Sequence, residues 1–182
     1  GASAGEGIIQ VTGATKTFKS AIGSTSVGTL DIDATPVFES TVGATTIDIA
    51  GSVTATFNDA ITATTIALNG SSNLTISYTG AITVAGNITD TSTSNEINVL
   101  FATADTAPSL VTFSGAAVAA DTINIGSTTK AGKATFTGST GVTATTLTIA
   151  GGNHANEDST ATFNDDLTAT IVLDDNTGDA KI

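Results

Sequence analysis

The stretches ATFNDAITATTIALNG, at residues 55–70, and ATFNDDLTATIVLDDN, at residues 161–176, are nearly the same phrase. They match as A-T-F-N-D-x-aliphatic-T-A-T-I-x-L when one residue between Thr64 and Ile66 is left out. Repetition at a spacing of roughly 20 residues is the signature of a solenoid. Related phrases recur along the chain, starting at Thr17-Phe18, Val37-Phe38, Thr56-Phe57, Thr75-Ile76, Thr112-Phe113, Thr135-Phe136 and Thr162-Phe163.

Each repeat has the periodicity of β-strands. Its second half alternates apolar and polar residues, as in Ile47-x-Ile49, Ile66-x-Leu68 and Leu147-x-Ile149, and a period of two is typical of a strand. Thr and Gly, which are abundant between these phrases, are poor helix formers. A unit of about 20 residues has too little apolar surface to fold alone, so it must bury that surface against its neighbours.

We therefore predict an all-β fold, a right-handed parallel β-helix (β-solenoid) of about eight coils of roughly 19 to 27 residues each. It would occupy residues 1–182 as a single domain, as a segment of a longer repetitive protein. Stacking of equivalent phrases would place Phe57 and Phe163 in one column. The longer gap between Ile76 and Phe113 would hold one further unit, supplied by residues 97–101. An antiparallel β-sandwich is the alternative, because it also has frequent turns between short strands.

The charge of the chain excludes several classes of partner. The net charge is −12, with five lysines against 17 acidic residues, and the sequence contains no arginine. We expect no binding to nucleic acid, because the phosphate backbone requires a positive surface. No apolar run approaches the ~20 residues of a membrane helix, so we also expect no membrane insertion. Cysteine is absent, which leaves the compartment open.

The repeat also suggests a class of protein. Units of the form ATF-x-[GDN]-x-[VI]-T-ATTI-x-I-x-G are clearest at residues 53–70, 111–126 and 134–151, and they cover nearly the whole chain. They resemble the repetitive passenger regions of bacterial autotransporters, filamentous-haemagglutinin-like adhesins and some surface-layer proteins. The resemblance implies an extracellular or bacterial cell-surface location and a structural or adhesive scaffold role, as a surface layer, fibre or adhesin stalk. It implies no catalysis.

Partners follow from the same interpretation. We expect self-association into a filament or lattice, because a solenoid has open strand edges at its ends, or binding to a cell-surface or glycan partner. The irregular loops Asp90–Asn95 and Gly151–Thr160 depart from the coil length, and loops of this kind often contact partners.

Acidic residues near the end of the sequence form a candidate calcium site. Calcium takes six to eight oxygen ligands, and carboxylates that alternate with a glycine bend can supply several of them. The competing interpretation is a set of solvated turns, which Asp, Asn and Gly favour. We predict no other cofactor. The candidate ligands are Asp165, Asp166, Asp174, Asp175 and Asp179.

Two other functions remain open. Stacked Thr-x-Thr phrases form the flat surface with which ice-binding β-solenoids order water. A polysaccharide-binding or polysaccharide-degrading β-helix could use Asp165 and Asp166, but the chain has one histidine, His154, no arginine and no tryptophan. We therefore expect no enzyme. The Thr-x-Thr phrases judged equivalent between coils are Thr62-x-Thr64, Thr143-x-Thr145 and Thr168-x-Thr170.

Overall fold

The computed structural model describes residues 5–103, 108–174 and 177–182, and these form a parallel β-solenoid of about seven turns without any helix. The predicted fold class is confirmed, with a coil count slightly below the expected eight. The sandwich alternative is wrong, since every pair of strands is parallel. The strands are β1 (Ile8–Val11), β2 (Thr17–Phe18), β3 (Ile22–Ile32), β4 (Val37–Phe38), β5 (Val42–Ile49), β6 (Thr54–Phe57), β7 (Ile61–Leu68), β8 (Asn73–Tyr78), β9 (Ile82–Asp90), β10 (Glu96–Phe101), β11 (Val111–Phe113), β12 (Ala117–Gly126), β13 (Lys133–Phe136), β14 (Gly141–Ala150), β15 (Ser159–Phe163), β16 (Leu167–Asp174) and β17 (Ala180–Lys181).

The pairing of these strands defines three columns, which we call walls A, B and C. Wall A contains β2, β4, β6, β8 and β10, followed by the second halves of β12, β14 and β16. Wall B contains the beginnings of β3, β5, β7 and β9, followed by β11, β13, β15 and β17. Wall C contains β1, the later parts of β3, β5, β7 and β9, and the first halves of β12, β14 and β16. Each long strand therefore contributes to two walls.

The prediction that Phe57 and Phe163 share a column is wrong. Phe57 lies in wall A and Phe163 in wall B. The wall A column runs Phe18, Phe38, Phe57, Ile76, Val99, Ile125, Ile149, Leu173. The wall B column runs Ile22, Val42, Ile61, Val84, Phe113, Phe136, Phe163.

A single inserted strand causes this shift. In the first half of the chain each repeat starts in wall A and continues through walls B and C. Strand β10 then adds one rung to wall A by itself, between β8 and β12. The next repeat, β11 with β12, consequently starts in wall B. Residues 97–101, expected to supply a whole missing unit, supply one strand of it.

The core continues through the shift. Two stacks of parallel aromatic rings fill it, one in each half of the chain, with centroids 4.7 to 5.0 Å apart. Where the Phe residues of one half end, aliphatic residues of the same column continue, and Ile76, Val99 and Ile125 are all fully buried. The buried apolar residues form one continuous cluster from Val11 to Ala180.

Glycine allows the coils to approach closely at the corner between walls B and C. A Cβ on Gly115 would lie 1.9 Å from the carbonyl oxygen of Gly86, and a Cβ on Gly138 would lie 2.2 Å from that of Gly115. Any side chain here would have to displace backbone, which explains why glycine recurs at this corner.

Candidate functional site

The outward face of wall A carries a regular polar ladder. From β6 to β16 the strands of this wall pair in register, so side chains of equivalent positions lie directly above one another. The two outward columns alternate with fully buried residues such as Leu74, Ile97 and Ile123. We call these two columns the wall A ladder. Its first column is Thr54, Asn73, Glu96, Thr122, Thr146, Thr170, and its second is Thr56, Thr75, Asn98, Asn124, Thr148, Val172.

Threonine and asparagine fill the wall A ladder at every position except Glu96 and Val172. Neighbouring rungs are linked by side chains: Asn73 Nδ2 donates to Thr54 Oγ1 at 3.3 Å, and Asn124 Nδ2 donates to Asn98 Oδ1 at 2.9 Å. Such links, together with the stiff χ1 angle of β-branched threonine, hold the polar atoms in fixed positions. The ladder is an ordered, nearly uncharged surface.

A shallow groove lies on this face at its C-terminal half. It has a volume of about 330 Å³, and the turn at Ser127 forms one side. It is lined by the polar residues Asn98, Asn124, Thr148 and Asp174 and by the apolar residues Leu100 and Ala150. The amides and hydroxyls that line it offer both donors and acceptors.

The Thr-x-Thr phrases that appeared equivalent in the sequence do not form one ladder. Thr62 lies in wall B, where its neighbours are Gly43 and Ala85. Thr143 and Thr168 are neighbours of each other in wall C. The predicted equivalence of Thr143 and Thr168 is confirmed. Their equivalence with Thr62 is wrong for the same reason as the Phe column, because strand β10 moves the repeat by one wall. The ladder has a sequence signal in the alternating polar residues Thr54-x-Thr56, Asn73-x-Thr75 and Thr146-x-Thr148. Aligning these three phrases with one another requires the order of the walls, which the sequence does not show.

The predicted calcium ligands lie at two different corners. Asp165 and Asp166 are exposed between walls B and C, where Asp166 N donates to Asp165 Oδ1 at 2.8 Å. Asp174 ends the last strand of wall A, and Asp179 precedes β17, where its carboxylate lies 3.0 Å from Lys181 Nζ. Asp175 lies outside the described residues. Among the residues that are described, no group of three or more acidic or histidine side chains is placed to hold a metal ion.

Calcium binding stays a prediction. A calorimetric melt with and without calcium would test it, and an unchanged midpoint would contradict a structural ion.

The Asp90–Asn95 loop is a compact hydrogen-bonded turn. Asn95 is fully buried, and its Oδ1 accepts from the backbone N–H of Ser72 at 2.8 Å. Its Nδ2 donates to Asp90 Oδ1 at 2.5 Å and to Ser92 Oγ at 3.1 Å. This side chain therefore anchors the turn that leads into β10. No sequence pattern distinguished it from the other asparagines.

The Gly151–Thr160 loop folds around a buried acid. Glu157 is 1% exposed, and its Oε2 accepts from the backbone N–H of His154 at 3.2 Å. Ser159 is also fully buried and accepts from Gly132 N at 3.0 Å. Residues 153–156 form the exposed tip, which is the part of this loop most available to a partner.

Tyr78 belongs to the core. Its ring is fully buried beside Phe101, with centroids 5.2 Å apart, and its hydroxyl accepts from the backbone N–H of Lys133 at 2.9 Å. Burial raises the pKa of Tyr78 to about 12, against a smaller lowering by the hydrogen bond with the Lys133 backbone. The phenol therefore stays neutral and ties wall A to wall B.

A row of carboxylates lies on wall C. Asp31 and Asp48 are direct neighbours on adjacent rungs, and Asp33 Oδ2 accepts from Gln10 Nε2 at 2.8 Å. Burial raises the pKa of the Asp31 carboxyl, and the charges of Asp33 and Asp48 raise it further, against a lowering hydrogen bond from Gln10. A carboxyl whose pKa is raised in the folded state lowers the stability of the protein as the pH rises through that raised value.

Replacing Asp48 by Asn should relieve this repulsion. We expect the free energy of unfolding at pH 7 to rise by up to ~1 kcal/mol, since the pair is near the surface. We expect no gain at about pH 2, well below the raised pKa of Asp31, because protonation of the Asp31 carboxyl removes the repulsion. Urea titrations at the two pH values would check it, and an equal gain at both would contradict the repulsion.

The fold defines the chain as a parallel β-solenoid that carries a polar ladder on one wall. Comparisons with protein-family models, with curated proteins and with solved structures found no match. The residues that the structure describes include no helix able to cross a membrane.

Proposed function

We propose that the chain is a structural scaffold segment of a bacterial cell-surface or extracellular protein, built to stack end to end. The observation that supports this most is the continuity of the core: the inward columns stay filled through all the turns, including the shift at β10. In a solenoid the backbone hydrogen bonds between rungs run along the axis, and about seven turns with a rise of ~4.8 Å per turn give a rod of roughly 34 Å. Stiffness and display follow from this construction.

The last described rung of wall A leaves apolar surface uncovered. Ile171 and Leu173 are 46% and 49% exposed, whereas their column neighbours Leu147 and Ile149 are fully buried. Among the residues that the structure describes, β16 is the last strand of this wall. Within these residues its outer backbone edge has no partner strand, and such an edge is a template for another strand.

Charge and register favour a second copy of this chain as the occupant. Phe18 and Leu173 lie at opposite ends of one inward column of wall A. A second copy stacked without rotation would place its Phe18 on Leu173. Lys19 follows Phe18 and Asp174 follows Leu173, so the same stacking brings a cation beside an anion. Both side chains are exposed.

Charge reversal at these two positions tests the stacking. We expect the chain to assemble with rising concentration, and Lys19→Asp or Asp174→Lys alone to keep it monomeric, because each places like charges together. A mixture of the two variants should assemble again, since each interface then pairs opposite charges. Sedimentation velocity and electron microscopy would measure this. Lys133→Asp, at an exposed lysine on the inner strand β13 of wall B, is the matched control and should assemble normally.

A chain that stays monomeric over a wide concentration range would contradict the stacking, and so would single variants that assemble like the parent chain. Location needs a separate experiment. Immunogold labelling should find the protein outside intact producing cells, and label confined to the cell interior would contradict the surface role. The adhesive form of the proposal requires a cell-surface or glycan partner, for which the exposed tip at residues 153–156 is the candidate contact.

A further inference from the structure

We propose that the wall A ladder is an ice-binding face, which orders water into an ice-like layer. This inference rests on the register of wall A and does not depend on stacking of copies, because a monomer carries the whole ladder.

The ladder has the spacing that a tetrahedral water needs. Neighbouring rungs of a parallel sheet are ~4.8 Å apart. A water that makes two hydrogen bonds of about 2.8 Å at a tetrahedral angle links oxygen atoms roughly 4.6 Å apart. One water can therefore bridge the successive hydroxyls of Thr56 and Thr75, of Thr122 and Thr146, and of Thr146 and Thr170, at the separation of second neighbours in a tetrahedral water lattice. Between Asn73 and Thr54 and between Asn124 and Asn98 the side chains bond to each other directly.

The polar positions of the ladder repeat in two directions, along each strand and along the axis of the solenoid. Within a rung, the two outward residues are separated by two residues of strand, about 6.6 Å. Six rungs extend over roughly 24 Å along the axis. No register shift interrupts the residues of the ladder between β6 and β16. A periodic array can hold a layer of bridging waters, whereas scattered hydroxyls hold single ones.

The side chains suit ordered water better than a sugar chain. Threonine presents a methyl group and a hydroxyl that both donates and accepts, and its restricted χ1 keeps these groups in place. No outward position of the ladder is aromatic, since Tyr78 and Phe57 on the same wall are buried. A glycan surface would require aromatic rings on which sugars stack. We therefore propose ice as the ligand of this face. Binding to an insoluble polysaccharide is the alternative outcome of the test.

Thermal hysteresis and inhibition of ice recrystallisation are the measurements. The parent chain should separate its freezing and melting temperatures and keep ice grains small. Thr122→Tyr and Thr146→Tyr, at the centre of the first column, should remove both effects because a bulky ring prevents contact with a flat lattice. The matched control is Thr62→Tyr, an exposed threonine of wall B whose neighbours on adjacent rungs are Gly43 and Ala85, and it should keep the activity. Melting curves by circular dichroism would show that all variants fold.

A gain of activity is also expected. Glu96 is the one charged residue of the ladder, and Glu96→Thr should increase the hysteresis by completing the first column. Absence of hysteresis in the parent chain would overturn the proposal. Equal loss in the wall A and wall B variants would also overturn it, and so would binding to cellulose or chitin that disappears in Thr122→Tyr.

Discussion

Replacing Phe136 by Ala is expected to lower the free energy of unfolding by about 3 to 5 kcal/mol. Phe136 is 2% exposed and lies between two parallel rings, with centroids 4.7 Å from Phe113 and 4.9 Å from Phe163. Truncation removes both contacts and opens a cavity that the in-register backbone cannot collapse to fill. Urea unfolding followed by circular dichroism would measure the change.

Phe163→Ala is the matched control for that substitution. Phe163 closes the same stack from one side and is only half-buried, so its loss should cost clearly less. An equal cost at the two positions would show that the stack does not act as a column of mutually supporting rings.

Replacing Asn95 by Ala is expected to cost roughly 3 kcal/mol, because it leaves buried polar groups without partners. Ser72 N and Ser72 Oγ both point at Asn95 Oδ1, at 2.8 and 3.2 Å, in a fully buried site. The turn that this side chain anchors precedes β10, so hydrogen exchange should speed up at the amides of Ser72 and of β10. Asn156→Ala, an exposed asparagine of the other loop, should change stability by less than about 0.5 kcal/mol.

Unchanged exchange at the Ser72 amide in the Asn95→Ala variant would contradict this role. A uniform loss of protection over the whole rod would mean that the turn is part of one cooperative unit. A loss confined to β8 and β10 would mean that the coils open locally, as expected where each repeat contacts mainly its neighbours.

The sequence alone was sufficient for the class of fold. Alternation of period two is a local property of the chain, and repetition of a phrase shows which residues face the same environment. Ile66, Leu68 and Phe57 were therefore recognisable as inward positions, and all three are buried. Parallel stacking followed because a short repeat can bury its apolar side only against its own copies.

The tertiary structure alone decided which wall each residue occupies. The wall of a strand depends on how many strands precede it, and β10 adds one to that count, so every later repeat is rotated by one wall although its sequence hardly changes. Comparing the sequences of the repeats does not reveal how many strands precede each of them. For that reason Phe57 and Phe163 are separated, Thr62 and Thr143 lie on different walls, and the wall A ladder combines first-half residues such as Thr56 with second-half residues such as Thr148, which occupy different places in the repeated phrase.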